Sequence, residues 1–373
     1  GDDSGEQIQA LDPRPKRRLD RGMKATLLAL FVALLMVGCG EDSNKPGGDS
    51  PESNQSSVET PSAKTAEVAK IDLDDNETLA KILAEAIDAG TLQKRGKKGE
   101  ELAYAPNEQT PYTGWLKVMH PNGQVSKLGQ FKSGKLYRLV RWWPENGQKK
   151  MEVNYKNGNL EGLSMQWHAN GQKENEGNWK DGKEDGVWTK WYKNGQKKME
   201  VNYKNGNLEG LSMQWHANGQ KENEINWKEK KKEGSFSVWY KNGQGEGKGN
   251  YKDDKEDGLW TSWYENGRKK DEGTYQDGKL MSAVSWKPNG EKCPVTNVVN
   301  GNGFWIFYNS DGTEDIRFTY KDGKVWTVVS WKPNGEKCPY TNLNDGNGVW
   351  VSYNKDGTES GRVTYKDGEV VED

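Results

Sequence analysis

The sequence predicts an all-β protein: an elongated antiparallel meander of about eleven stacked β-hairpin repeats, with a short N-terminal helix after a disordered tether. Three observations predict it. An Asn-Gly or Asp-Gly pair recurs at regular spacing, at Asn122, Asn146, Asn170, Asn194, Asn218, Asn242, Asn266, Asn289, Asp311, Asn334 and Asp356. A second turn pair, such as Asp181-Gly182, falls midway in most units. Only 32% of the residues are hydrophobic, yet there are 17 Trp and 15 Tyr, so aromatic rings must supply most of the buried surface.

The N-terminal segment has the pattern of an exported lipoprotein. Met23-Lys24 is followed by the apolar run 25–38, then by Cys39 and hydrophilic sequence. As a helix the run spans roughly 21 Å, short of the ~30 Å hydrocarbon core, which favours a signal peptide over a membrane span. Residues 35–39 resemble a bacterial lipobox, which implies diacylation of Cys39. We expect residues 1–22 to be an over-extended translation, residues 23–39 to be the signal peptide and lipobox, and the protein to be lipid-anchored in the bacterial cell envelope, facing the periplasm or the cell surface.

The segments that follow predict a tether and one helix. Residues 40–74 are rich in Ser, Pro, Gly, Asn and Glu and lack apolar periodicity, so we expect a disordered tether. In 75–110, apolar residues recur at helical spacing between a capping residue, Asp75 or Asn76, and a stop at Gly90: Leu79, Ile82, Leu83, Ala86 and Ile87. This helix should pack over the first hairpin. The repeat domain is expected over 111–373, and its segments 146–180 and 194–228 differ only at Gly177 and Ile225.

Proline determines the predicted hairpin loop. Pro121, Pro288 and Pro333 directly precede Asn-Gly, where a two-residue turn would need a ladder hydrogen bond that proline cannot donate. A type I turn followed by a left-handed glycine accepts all three residues, so we predict three-residue loops.

Under that register, the ring three places before each turn shares a face with the second-strand rings, such as Trp179 and Tyr203. The ladder comprises Trp143, Trp167, Trp191, Trp215, Trp239, Trp263, Trp286, Tyr308, Trp331 and Tyr353. Leu163, Val187, Leu211 and Leu259 are expected to join this face, while Gln166, Lys190 and Ser262 lie on a wet opposite face. The ladder is a candidate core and a candidate binding surface, and if it is core then Trp191→Ala and Trp263→Ala should lower the melting temperature.

The repeated text resembles a known family. Gly258-Leu259-Trp260-Thr261-Ser262-Trp263-Tyr264-Glu265-Asn266-Gly267, followed by residues 272–279, is similar to the variant class of MORN (membrane occupation and recognition nexus) repeats, in particular to bacterial MORN-type antitoxin components. The resemblance covers residues 112–373. It implies a sheet of stacked hairpins and brings no catalytic residues.

The candidates for chemistry point to structural roles. His120, His168 and His216 share one repeat position 48 residues apart, so neighbours should lie about 19 Å apart at ~4.8 Å per strand, too far to share a zinc ion. The acidic pairs Glu184-Asp185 and Glu256-Asp257 occupy equivalent turns, whereas a glycosidase uses a single pair. Cys293 and Cys338 also repeat and are expected to be buried, free thiols.

These observations predict a non-catalytic scaffold without cofactor or metal. Its partners would be the membrane, through lipidated Cys39, and an unidentified protein, glycan or lipid. The net charge of only −2 excludes a nucleic-acid partner on charge grounds. An antitoxin-like component that neutralises a partner toxin is the alternative, and a glycan hydrolase is a remote one.

Overall fold

The computed structural model describes residues 71–354 and 356–371. The predictions for residues 1–22, for the signal peptide and Cys39, and for residues 40–70 of the tether fall outside the described residues. The chain divides into two compact units at Asn159 and Leu160. We call the described residues 71–159 the N-terminal unit and residues 160–371 the C-terminal unit.

The N-terminal unit combines one helix with a small sheet. Its elements are α1 (Asn76–Glu85), β1 (Ile87–Asp88), a 3-10 turn (Ala89–Thr91), β2 (Gln93–Arg95), β3 (Leu102–Tyr104), β4 (Gly114–Met119), β5 (Val125–Lys132), β6 (Lys135–Trp142) and β7 (Met151–Lys156). Strands β4 to β7 form an antiparallel meander, β1 pairs in parallel with β4, and β2 pairs with β3.

Helix α1 begins as predicted and ends earlier. The side chain of Asp75 caps it by accepting a 2.8 Å hydrogen bond from the Thr78 amide. The predicted continuation through Ala86 and Ile87 is wrong, because Ile87 leaves the helix to pair with Leu116 at the edge of β4. The β2–β3 hairpin was also not predicted.

The C-terminal unit is a long meander followed by two small sheets. The strands are β8 (Asn159–Trp167), β9 (Lys173–Lys180), β10 (Lys183–Trp191), β11 (Lys197–Lys204), β12 (Asn207–Leu208), β13 (Gly210–Trp215), β14 (Lys221–Lys228), β15 (Lys231–Trp239), β16 (Gly245–Lys252), β17 (Lys255–Trp263), β18 (Lys269–Gln276), β19 (Lys279–Ser285), β20 (Gly303–Tyr308), β21 (Glu314–Lys321), β22 (Lys324–Ser330), β23 (Gly348–Tyr353), β24 (Glu359–Lys366) and β25 (Glu369–Val370). Consecutive strands pair from β8 to β19, with β11 pairing to both β12 and β13, while β20–β22 and β23–β25 form separate three-stranded sheets.

The predicted hairpin fold and its loops are confirmed. In the loop at Pro121, the Gly123 amide donates to the His120 carbonyl at 2.9 Å, and Gly123 has a φ of 83°. The same bond joins Gly290 to Lys287 around Pro288. The loops are therefore three residues long, with a left-handed glycine at the end.

The predicted sharing of faces is wrong, because the second strand of most hairpins carries a one-residue bulge. Lys190 pairs with Met199 and Trp191 pairs with Lys197, which leaves Lys198 as the extra residue. The same shift recurs in the hairpins around Asn170, Asn218, Asn242 and Asn266. A bulge reverses the alternation of side chains beyond it, so the ladder tryptophans and the second-strand rings lie on opposite faces.

The core lies on the face that was expected to be wet. We call it the inner face, and its first-strand row stands three residues before each ladder position. Every member of this row is buried: Leu116, Val140, Ser164, Trp188, Ser212, Phe236, Trp260, Ala283, Trp305, Val328 and Trp350. In the C-terminal unit a chain of ring contacts runs from Phe236 through Trp260 and Trp305 to Trp350.

The copied segments 146–180 and 194–228 differ only at Gly177 and Ile225. The volumes of the side chains opposite these two residues explain the difference. Gly177 lies against Trp188, and a Cβ added there would meet the indole at 2.1 Å. In the second copy Ile225 pairs with Phe236, a smaller ring, and both side chains are buried. Gly249 repeats the first arrangement beneath Trp260. A large ring therefore takes a glycine opposite, and a smaller ring leaves room for a branched side chain.

Candidate binding face

The ladder tryptophans lie on the opposite side of the sheet, which we call the outer face. In the C-terminal unit Trp167, Trp191, Trp215, Trp239, Trp263, Trp286 and Trp331 are half-buried. Most carry a cation over the ring: Lys173 lies 5.6 Å from the centre of Trp191, Lys197 5.6 Å from Trp215, Lys221 5.3 Å from Trp239 and Lys269 5.0 Å from Trp286. The long lysine stems thus shield the rings from water.

Each of these lysines also pairs with a glutamate on its own strand. Lys197 Nζ lies 2.6 Å from Glu200, Lys221 Nζ 2.9 Å from Glu224 and Lys269 Nζ 2.7 Å from Glu272, and Lys173 pairs with Glu176 in the same way. The outer face therefore carries a row of positive charge beside a row of negative charge, and the two balance. Exposed pairs of this kind contribute about 0.2–1 kcal/mol each, so their charges are available to a partner at little cost.

A third row on the outer face is aliphatic and exposed. It stands four residues before the ladder, and its side chains are exposed by 38% at Leu163, 52% at Val187, 44% at Leu211 and 55% at Leu259. Ser235, Ser282 and Thr327 occupy this position before Trp239, Trp286 and Trp331. The prediction that these aliphatic residues share a face with the ladder is correct, but they cover no ring core.

The same repeat positions are covered in the N-terminal unit. Helix α1 and the preceding residues pack on Trp143 of the ladder, on Leu128 and Val125, and on Trp115 and Leu139, which correspond to the exposed aliphatic row. Trp143 is consequently buried. The prediction that the helix covers the first hairpin is confirmed, and the outer face of this unit has no comparable bare row among its described residues.

The three histidines join neighbouring hairpins. The Nε2 atoms of His120, His168 and His216 lie 2.8, 2.9 and 3.0 Å from the carbonyl oxygens of Trp143, Trp191 and Trp239. Because a carbonyl only accepts, Nε2 carries the proton. At the same repeat position Tyr192, Tyr240 and Tyr264 donate their hydroxyls to the carbonyls of Trp215, Trp263 and Trp286. Histidine and tyrosine therefore perform one structural task, and each histidine serves a different carbonyl.

The acidic turn residues also bond to their own chain. The carboxylates of Glu161, Asp185, Glu209 and Glu233 each accept from the backbone amide of a turn 20 residues further on. Within residues 71–354 and 356–371, no three His, Cys, Asp or Glu side chains are grouped as a metal site would require.

Two carboxyl groups of the ladder hairpins, Asp271 and Glu246, have strongly raised pKa values. Asp271 is buried and accepts a 2.6 Å hydrogen bond from the Ser262 hydroxyl, and burial raises its pKa to about 6. Burial likewise raises the pKa of Glu246 to about 7. Asp271 occupies the repeat position of Asn175 and Asn223, both buried amides, so a carboxyl that is neutral only below about pH 6 replaces an amide.

The two repeated cysteines are buried and free, as predicted. Cys293 Sγ lies 2.9 Å from the Tyr308 hydroxyl, and Cys338 Sγ lies 3.1 Å from that of Tyr353. Each thiol is thereby tied to the strand that follows its loop. Both fill the interior of the C-terminal sheets.

The inner-row rings are the residues that the sequence interpretation missed. Trp188, Phe236 and Trp260 were assigned to neither face, although glycines at Gly177 and Gly249 signal a large ring opposite. That signal is readable only once the bulge has fixed which residues face one another.

The repeat pattern matches a family. Five segments match the sequence profile of the MORN repeat variant: residues 139–157, 160–181, 184–205, 232–253 and 256–277. These five segments therefore have the sequence pattern of MORN-variant repeats. A segment such as 184–205 spans most of β10, the loop, β11 and the following turn, so one MORN-variant repeat is one hairpin of the meander.

MORN repeats generally mediate binding to membranes or proteins, and the scaffold they form is typically non-catalytic. The search of curated proteins gives no match for this chain. A chain in the solved structure titled "Crystal Structure of TcdB2-TccC3-Cdc42" is similar at 9% identity and a TM-score of 0.16 over 69% of this chain, which spans 18% of that chain's length. None of the helices in the described residues has the length and apolar character needed to span a membrane.

Proposed function

We propose that this protein is a non-catalytic scaffold of the bacterial cell envelope, anchored through lipidated Cys39, that binds a partner through the outer face of its C-terminal unit. The observation that carries the proposal is the exposed row Leu163, Val187, Leu211 and Leu259 beside half-buried tryptophans. An extended apolar row of this kind on a soluble domain is typical of an interaction surface.

The distribution of polar groups supports a binding role over a catalytic one. Asp271, whose pKa is raised, lies opposite Ser262 on the inner face and is fully buried. The outer face carries lysine and glutamate in matched pairs that repeat from hairpin to hairpin. Repetition of equal groups suits an extended partner, whereas catalysis concentrates distinct groups at one place.

Site-specific photocrosslinking in the host tests the binding role. A benzophenone amino acid replaces Val187 on the outer face in the full-length protein, and in a control it replaces Val299, which is 64% exposed and outside the ladder hairpins. We expect an adduct at position 187 and none at 299. Equal labelling at both positions, or none at either, contradicts a partner on the outer face.

Metabolic labelling tests the anchor. The wild-type chain should incorporate labelled palmitate and partition into detergent, because the lipobox-like segment ends at Cys39. Cys39→Ser should abolish both. Incorporation by the Cys39→Ser variant would rule out this site of lipidation.

A further inference from the structure

The N-terminal unit shows what the outer face can bind. Ile82 and Ala86 of the α1 segment are buried against Leu128 and Trp143, with Leu79 and Leu83 beside them. These four helix residues form one apolar stripe at helical spacing. Their partners come from three successive strands, β4 to β6. The outer face of a hairpin array is thus complementary to an amphipathic helix.

Charge completes that contact. The carboxylate of Asp74, directly before the helix cap, forms ion pairs with the Arg141 guanidinium at 2.8 Å and with the Lys149 ammonium at 2.7 Å. Lys117 Nζ, further along the same face, donates to the Leu83 carbonyl at 2.7 Å. Lys149 occupies the repeat position of Lys173, Lys197, Lys221 and Lys269 in the C-terminal unit. The lysine row therefore has a demonstrated counterpart: a carboxylate at the N-terminal side of a docked helix.

The C-terminal unit repeats these positions, and no helix covers them within the described part of the chain. Val187 and Leu211 are the equivalents of Trp115 and Leu139, and they are exposed. They recur every second strand, or about 10 Å apart. Apolar residues seven apart on a helix are also about 10.5 Å apart. A helix lying along the array can therefore place successive apolar side chains on successive members of the row.

One repeat position is apolar in the N-terminal unit and acidic in the C-terminal unit, and this difference indicates which charges the partner helix should carry. Leu128, buried under α1, corresponds to Glu176, Glu200 and Glu224 in the C-terminal unit. A helix docked there meets a glutamate row beside the aliphatic row. It should carry basic residues next to its apolar stripe, as well as acidic residues at its N-terminal side.

We propose that the outer face of the C-terminal unit docks an amphipathic helix of a partner protein, with apolar residues at seven-residue intervals, acidic residues preceding it and basic residues flanking its apolar stripe. This proposal rests on the proposed binding function and specifies its ligand class. The Lys–Glu pairs open to meet the helix, because each exposed pair contributes little to stability.

The chain's own helix provides the probe. A synthetic peptide of residues 71–90 with Glu85→Lys, which adds a basic residue beside the apolar stripe to meet the glutamate row, is stapled by a lactam between Glu77 and Lys81, which already form an exposed i,i+4 pair at 2.8 Å. The staple offsets the weak helicity of a short free peptide. An otherwise identical peptide with Ile82→Asp loses the apolar stripe and is the matched control. Binding to the full-length protein is measured by fluorescence anisotropy.

Variants of the protein show whether the peptide binds to the outer face of the C-terminal unit. We expect Val187→Asp and Leu211→Asp to weaken peptide binding by about tenfold or more, Val299→Asp to leave it unchanged, and the control peptide not to bind. Unaltered thermal melts of the three variants show that the fold is intact, as expected for exposed positions.

Two results would overturn the proposal. One is absence of peptide binding to the full-length protein, and the other is binding that Val187→Asp and Leu211→Asp do not weaken. If the crosslink at position 187 still forms but survives protease digestion as a lipid or glycan adduct, the binding function stands and the helix is wrong. If the crosslink is absent as well, both proposals fail.

Discussion

The two units share one repeat architecture but differ in their outer faces, which helix α1 covers in the N-terminal unit and which expose an aliphatic row in the C-terminal unit. In the N-terminal unit, Leu128 and Trp143 are buried under α1, and apolar residues occupy positions that the C-terminal unit gives to charge. In the C-terminal unit, lysine–glutamate pairs shield the tryptophans, while Val187, Leu211 and Leu259 of the aliphatic row are exposed. The inner face is packed in both. The difference teaches that the inner row holds the hairpins together, while the outer face is free to change with what covers it.

Exchanging residues at one repeat position should give the largest effect. Leu128→Glu removes the packing of a fully buried side chain against Ile82 and Trp143 and places a carboxylate under α1, so it should lower the free energy of unfolding by about 3–5 kcal/mol. The reverse exchange, Glu200→Leu, removes only an exposed ion pair and should cost less than about 1 kcal/mol. Urea denaturation of both variants measures this. Equal losses would show that the two outer faces do not differ.

On the inner face of the C-terminal unit, a larger side chain should be tolerated only when the side chain opposite it is made smaller. Gly177→Ile forces a branched side chain into the Trp188 indole and should cost about 1–3 kcal/mol. Adding Trp188→Phe reproduces the Ile225–Phe236 pair and should recover most of the loss. A double-mutant cycle by thermal melting checks it, and additive losses would disprove the complementarity.

Asp271 should make the stability of the C-terminal unit depend on pH. Its pKa is about 6 in the fold against an ordinary value of 3.8, so stability falls as the pH rises from 3.8 to 6 and then stays low. Asp271→Asn, which imitates Asn223, should remove this dependence and stabilise the protein above pH 7 by about 3 kcal/mol. Melting curves from pH 4 to pH 8 measure it. A variant less stable than the parent at pH 8 would contradict the cost of ionising the buried Asp271.

The bonds between hairpins should have the smallest effect. Tyr240→Phe removes one hydroxyl bond to the Trp263 carbonyl and should cost about 1 kcal/mol. Tyr240→His should cost less, because His216 makes the equivalent bond. Equal losses in the two variants, measured by denaturation, would show that the bond itself is unimportant.

The sequence predicted the hairpins and loops, because proline and glycine restrict the backbone at identified positions such as Pro121 and Gly123. It did not predict the faces. A bulge at a residue such as Lys198 adds no distinctive side chain, yet it moves every side chain beyond it to the other side. The candidate site was therefore partly found: the ladder and Val187 were placed together, but the core at Trp188 and Trp260 was not. The early end of α1 depends on the pairing of Ile87 with β4, a contact distant in sequence.

Hydroxyl-radical footprinting of the full-length protein, with modification rates read by mass spectrometry, tests the contrast between covered and bare faces most directly. The structure predicts fast modification at Val187, Leu211 and Leu259 and protection at Leu128 and Trp260. In an Ile82→Asp variant, which disrupts the contact of α1, Leu128 should become reactive while Trp260 stays protected. Protection of Leu211 and Leu259 together with rapid oxidation of Trp260 would contradict the assignment of the two faces.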